Sequence, residues 1–254
     1  MHVCHILLLG AAAMQLLISV TDVAEAHAAL NGGADIIDVK NPAEGALGAA
    51  SPQALHEIGA MLPESMVLSA ALGESFAPPG SLALAAVGAA AFGARYVKIG
   101  LRTPGLDEAV ALLRVIQAAL PLAGRDCTLI AVGYADAERV GALPWQTLPD
   151  VARAAGVGGC MLDTALKDGA SLFDHCDVAE LQRWLRACRA SRLRCALAGA
   201  LRGDHLALLN QLRPDLVGFR GAACRGDRVN GRVDATLVAA LRSGLDRAMT
   251  HDPA

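Results

Sequence analysis

The sequence predicts an α/β fold: a single (β/α)8 TIM barrel. Three observations lead there. Eight strand-like runs alternate with helix-like segments along the chain. The strand runs are continuously apolar rather than alternating, as expected of parallel strands covered on both faces. The length, 254 residues, suits eight βα units in one domain.

The runs are Leu16–Val20, Asp35–Lys40, Met66–Leu72, Tyr96–Leu101, Thr128–Tyr134, Gly159–Asp163, Arg194–Ala198 and Leu216–Gly221. After the first run, Thr21 and Asp22 offer an N-cap and Gly32-Gly33 a helix stop. A later helix starts near Leu106, where Ala109, Leu112, Leu113, Ile116 and Leu120 form one apolar stripe. Arg183, Arg186, Arg189 and Arg192 recur every three residues and read as a solvated helix face. The last helix is expected from about Val233, with Leu237, Leu241 and Leu245 in register. A doubly wound open sheet is the alternative, but no G-x-G-x-x-G follows the first strand, so a dinucleotide site has no support. The barrel is expected over residues 14–250. Residues 1–13 read as an extra N-terminal segment, with Met14 an alternative start.

Composition narrows the function. Hydrophobic residues make up 54% and charged residues 19%, which excludes a disordered chain. A net charge of −3 and only 3% aromatics argue against nucleic acid as partner. Ile6–Val20 is apolar but lacks the basic flank of a signal peptide and is short for a membrane span, so the expectation is a cytoplasmic protein without membrane contact. The seven cysteines include no C-x-x-C pair and read as buried free thiols. No metal site is expected: His2, Cys4 and His5 lack a fourth ligand. Ala-rich helix faces suggest a homo-oligomer.

The basic residues carry the strongest signal. Of 22, only Lys40, Lys98 and Lys167 are lysine; the rest are arginine. Arginine substitutes for lysine on a solvated surface, but its guanidinium stays protonated and cannot attack a carbonyl. The three lysines lie at or near strand ends. Asp38 and Lys40 are two apart and share a strand face. Lys98 belongs to the fourth strand and Asp163 ends the sixth. Alternate strands of an eight-stranded barrel fill common layers, so these charges converge at the C-terminal mouth. Crowding and burial then lower a lysine pKa, which suits Schiff-base chemistry on an aldehyde or ketone, with a second lysine or an aspartate moving protons. Gly199 and Gly221, near the ends of the seventh and eighth strands, suggest a backbone phosphate site that includes Ala222, with Arg202, Arg220 and Arg225 as anion partners.

Longer motifs carry a resemblance. Asn31-Gly-Gly-Ala-Asp-Ile-Ile-Asp-Val-Lys-Asn-Pro42 is followed by Tyr96-Val-Lys-Ile-Gly-Leu101, Val132-Gly-Tyr-Ala-Asp136 and Met161-Leu-Asp-Thr-Ala165. Lys167-Asp-Gly169 and Leu172-Phe-Asp-His175 complete the series. Over about residues 15–245 the chain resembles the (5-formylfuran-3-yl)methyl phosphate synthase family of methanofuran biosynthesis. The resemblance implies a TIM-barrel lyase without a cofactor. It would join two molecules of glyceraldehyde 3-phosphate, expel phosphate and water and close a furan ring. It also implies Lys40 as the Schiff-base lysine, Lys98 as proton acceptor, and Asp38, Asp163 and Lys167 as the other charged site residues. Such proteins also occur in bacteria that oxidise one-carbon compounds. From the residues alone, the split of roles between Lys40 and Lys98 stays open. So do a class I aldolase of sugar phosphates and a non-catalytic barrel that binds a phosphorylated ligand.

Overall fold

In the computed structural model, residues 13–246 are described. The proposed extra segment 1–13 lies outside them except for Ala13, as do His2, Cys4 and His5. Eight parallel strands close into a barrel: β1 (Gln15–Val20), β2 (Ile36–Val39), β3 (Val67–Glu74), β4 (Tyr96–Gly100), β5 (Thr128–Tyr134), β6 (Gly159–Asp163), β7 (Arg194–Leu197) and β8 (Leu216–Phe219). Each pairs with the next, and β8 returns to β1 with Gln15 opposite Leu216. A sheet closed on itself leaves no strand edge unpaired.

The helices are α1 (Val23–Asn31), α2 (Pro52–Met61), α3 (Pro79–Ala91), α4 (Leu106–Ala119), α5 (Leu148–Ala155), the single turn α6 (Leu172–His175), α7 (Val178–Ala190), α8 (Leu206–Leu212) and α9 (Ala235–Asp246). Local chemistry sets their ends. Asp22 accepts a hydrogen bond from the Glu25 N–H at 3.0 Å and so caps α1. Gly32 ends that helix, where a Cβ would lie 2.4 Å from Val238 Cβ on α9. Glycine thus permits the two helices to meet. In α4 the stripe Ala109, Leu112, Leu113 and Ile116 is buried, and Asp107 and Glu108 sit in the first turn, where the helix dipole favours acids. The four arginines at three-residue spacing on and after α7 are exposed, while Leu181, Trp184, Leu185 and Cys188 face inward.

The last helix begins later than the pattern suggests. Arg232–Val233 forms a strand (β10) that pairs antiparallel with β9 (Cys224–Arg225). Asp234 then starts α9, accepting from Thr236 and Leu237 N–H groups. The buried positions of α9 are Val238, Leu241 and Leu245, with Leu237 only half-buried.

Two apolar cores follow from strand alternation. Leu17, Ile36, Ile130, Val132, Met161, Ala196 and Leu216 fill the barrel interior. The outward set, including Leu16, Ile18, Ile37, Val97, Ile99 and Leu162, packs under the helices. Among the described cysteines, five are buried and Cys127 is half-buried, and none is bridged. Burial pushes the Cys176 and Cys195 thiols up to about 12, which leaves them in the inert thiol form. No helix among the described residues is long and apolar enough to cross a membrane.

Candidate active site

Strand periodicity delivers the charged residues to one place. On β2, Ile36 and Asp38 face inward, and Lys40 follows at the strand's C-terminal end. Strands β4 and β6 add Lys98 and Asp163 from the same interior. The five charged candidates therefore gather at the C-terminal mouth. Lys40, Asp163 and Lys167 line a cavity of about 410 Å³ there, and Asp38 and Lys98 lie beneath it. A larger hollow of about 870 Å³ lies at the opposite end, beside the starts of β3, β4 and β5. It contains none of the lysines.

Pairing separates the three lysines. Lys98 Nζ lies 2.6 Å from Asp38 Oδ2, with the two side chains 3% and 0% exposed. The Ser19 hydroxyl donates to the same oxygen at 3.0 Å. Lys167 Nζ lies 2.8 Å from Asp163 Oδ1 and also donates to the Thr164 carbonyl at 2.6 Å. Among the described residues, Lys40 forms no ion pair. Its Nζ reaches only the Ala46 carbonyl, at 3.4 Å.

The electrostatics follow from that arrangement. Burial pushes the Lys40 amine down to about 7. Asp163 and Asp38 oppose this shift, and Lys98 and Lys167 add to it. Burial by itself would raise Asp38, but Lys98 and then Lys40 hold its carboxyl below the ordinary value. The same balance, with Lys167 and then Lys40, keeps Asp163 ionised. The site thus pairs two fixed carboxylates with two ammonium groups and leaves one amine near neutrality.

The expected phosphate residues Gly199, Arg202, Arg220, Gly221 and Ala222 also border the cavity. Gly199 has φ of 99°, and a Cβ there would lie 3.0 Å from the Thr164 N–H nitrogen. Glycine lets this turn approach the loop after β6. Gly221 and Ala222 open a short 3-10 turn (Gly221–Ala223), so their N–H groups have no carbonyl one turn back. Arg202 is exposed and faces Asp204 at 3.5 Å. Arg220 differs from expectation. Its Nε donates to the Arg228 carbonyl, Nη1 to Ser19 O and Glu25, and Nη2 to Glu25 and Gly231 O. All five N–H groups are therefore used within the protein. Arg225 stands outside the cavity lining, because it ties β9 to Asp234 at the start of α9.

Several residues were not visible as site residues in the sequence. Asp136 is buried, and its two oxygens accept from Ala165 N at 2.7 Å and Leu166 N at 2.8 Å. It thereby pins the loop that carries Lys167. Its position at the end of the Val132–Asp136 motif is the one clue the sequence held. Asp136→Ala is expected to leave two backbone donors unpaired and cost about 1–3 kcal/mol. A urea midpoint that does not move would show that the loop is held by other contacts. Tyr134 is fully buried and donates to Glu74 Oε1 at 3.1 Å, while Arg102 donates to Glu74 Oε2 at 3.1 Å. Gly100 makes room for this ring: a Cβ there would sit 2.0 Å from the tyrosine oxygen. Among the described residues, no group of three or more His, Cys, Asp or Glu is arranged to hold a metal ion.

The barrel and its charged mouth can be set beside known proteins. A family model described as 4-HFC-P synthase matches residues 16–242. A relative from Methanothermobacter thermautotrophicus is 46% identical over 235 residues, spanning 92% of this chain and 99% of the relative. One from Methanocaldococcus jannaschii is 45% identical over 231 residues, spanning 90% and 98%. Both are named (5-formylfuran-3-yl)methyl phosphate synthase. Among solved structures, phosphoribosyl anthranilate isomerase from Thermus thermophilus superposes with a TM-score of 0.63 at 18% identity, covering 92% of this chain and 99% of that one. 3-Hexulose-6-phosphate synthase from Salmonella typhimurium gives 0.62 at 16%, covering 91% and 100%. These two likenesses concern the fold.

Proposed function

Because the chain belongs to the 4-HFC-P synthase family, whose curated relatives are named (5-formylfuran-3-yl)methyl phosphate synthase, we propose that it makes this phosphorylated furan aldehyde from two glyceraldehyde 3-phosphates through an imine on Lys40. The observation that carries the imine is the pairing pattern. Lys98 and Lys167 are each bound to a carboxylate, whereas Lys40 has none among the described residues and its amine is pushed down to about 7. Only an uncharged amine has the lone pair that adds to an aldehyde.

The balance is simple. Two triose phosphates yield the furan product, one phosphate and two waters, which makes the enzyme a lyase. Lys40 adds to the first aldehyde, and the resulting hydroxyl must leave as water. The Lys98 ammonium supplies that proton and becomes a neutral amine beside Asp38. It is then able to take the proton from the carbon next to the iminium, giving an enamine. The enamine expels the phosphate of its own triose, which leaves an iminium conjugated to a terminal carbon–carbon double bond, and C2 of the second triose, deprotonated to its enediolate, adds to that terminal carbon. Asp38, Asp163 and Lys167 serve the later proton transfers that accompany loss of phosphate and water. The N–H groups of Gly199, Gly221 and Ala222, with Arg202 at the rim, receive a substrate phosphate. Aromatisation makes the last step downhill. The reading needs no cofactor, places the enzyme in the cytoplasm and includes association through Ala-rich helix faces.

The direct test is to incubate the purified protein with glyceraldehyde 3-phosphate. A furan absorbance should grow with one inorganic phosphate released per furan. A sugar bisphosphate without phosphate release would instead indicate a class I aldolase. Binding without turnover would indicate a non-catalytic barrel.

A further inference from the structure

Arg220 is the foundation of a strap. Residues 226–231 form a tight loop between β9 and β10. Gly226 adopts φ of 96°, and Asp227 accepts from the Val229 and Asn230 N–H groups, each at 2.8 Å. From below, Arg220 donates to the Arg228 carbonyl at 3.0 Å and to the Gly231 carbonyl at 3.2 Å. Arg220 is itself anchored on buried Glu25. The strap is therefore tied to the barrel end rather than merely resting on it.

The strap places Arg228 over the site. Its Nη1 donates to Pro42 O at 3.0 Å and its Nη2 to Gly45 O at 3.2 Å, both in the loop after β2. The next carbonyl along, Ala46 O, is the one that Lys40 Nζ reaches. Arg228 and Lys40 thus sit on adjacent carbonyls, and both line the same cavity. Arg228 forms no ion pair among the described residues, and two of its five N–H groups are used. An unpaired guanidinium with three donors left, facing a cavity, suits an oxyanion.

We propose that Arg228 is the phosphate-binding residue for the phosphate that leaves from the Lys40-bound triose. This rests on the Schiff-base reading above. In the enamine, the nitrogen lone pair re-forms the iminium, and the carbon–carbon double bond shifts one position along. The carbon–oxygen bond to phosphate breaks with its electron pair going to phosphate. The dianion thus appears within reach of a group bound beside Lys40. A fixed cation at that point stabilises the departing charge without reorganisation. Arg220 cannot do this with its donors already used.

The test uses the full chain with Arg228→Gln and Arg228→Lys. Calorimetric titration with inorganic phosphate should show affinity falling about 10- to 100-fold in Arg228→Gln. Arg228→Lys, which keeps a charge, should fall between the two. Borohydride trapping with unphosphorylated glyceraldehyde should be equal in wild type and Arg228→Gln. Unchanged phosphate affinity in Arg228→Gln would overturn the proposal. So would a parallel loss of glyceraldehyde trapping, which would make Arg228 a purely structural tie. If wild type traps neither aldehyde while Arg228→Gln still loses phosphate affinity, the anion site stands and the imine reading falls.

Discussion

Lys40→Arg is expected to abolish the borohydride-trapped adduct with glyceraldehyde 3-phosphate and to lower turnover by at least about 10³-fold. The size follows from the chemistry. Burial pushes the Lys40 amine down to about 7, so near neutral pH a substantial share of it is uncharged. A guanidinium in the same place has no uncharged fraction at any working pH. The pH profile gives an independent check. As pH rises through about 7, the nucleophilic fraction of Lys40 grows and then levels, so kcat/KM should rise and reach a plateau. Asp38 and Asp163 stay ionised throughout, because their own pKa values are held below the ordinary range. Stability carries the same signature. A base whose folded pKa is lowered binds fewer protons than in the unfolded chain between about 7 and 10.5. Its contribution to stability therefore improves with rising pH across that window. Mass spectrometry decides the main point: an adduct that persists in Lys40→Arg would move the imine to another lysine.

Asp38→Asn carries the largest expected stability loss, about 3–5 kcal/mol. The substitution leaves the Lys98 ammonium in the barrel interior without its partner at 2.6 Å. Breaking one side of a buried pair costs more than removing both, since the remaining charge is not compensated. Asp38→Asn combined with Lys98→Met should therefore recover most of the loss, and both variants should lack turnover. At about 2–4 °C per kcal/mol for a domain of this size, melting should drop by about 6–20 °C in the single variant. The gap to wild type has a pH limit. The folded pKa of Asp38 is lowered, so its stabilisation is complete above the unfolded value, about 3.9, and is lost as pH falls through the lower folded value. A single variant that unfolds at the wild-type urea concentration would show that Lys98 does not depend on Asp38.

The architecture was legible because it depends on local periodicity. Continuous apolar runs mark strands buried on both sides, and all eight appear within two residues of where the pattern puts them. Asp22 starts α1 through its capping carboxylate, and Gly32 ends it where any Cβ would collide with Val238. The gathering of Lys40, Lys98, Asp38 and Asp163 follows from two rules alone: a period of two along a strand and alternate strands sharing a layer. The start of α9 was less legible, because Arg232–Val233 is recruited by Cys224–Arg225 into a ribbon that no periodicity announces.

Partner choice was decided by tertiary structure. Arginines 220 and 228 look alike in a line of letters, both in the glycine-containing stretch that follows the eighth strand. Glu25, 195 positions away, takes Arg220 into the wall, while the carbonyls of Pro42 and Gly45, 186 and 183 positions away, draw Arg228 over the cavity. Likewise the sequence selects three lysines but not the one left unpaired, since that depends on which carboxylate lies within ion-pair reach of each Nζ. Periodicity fixes which way a side chain faces. Which group it meets there is set by the closure of the barrel, which brings distant ends of the chain together.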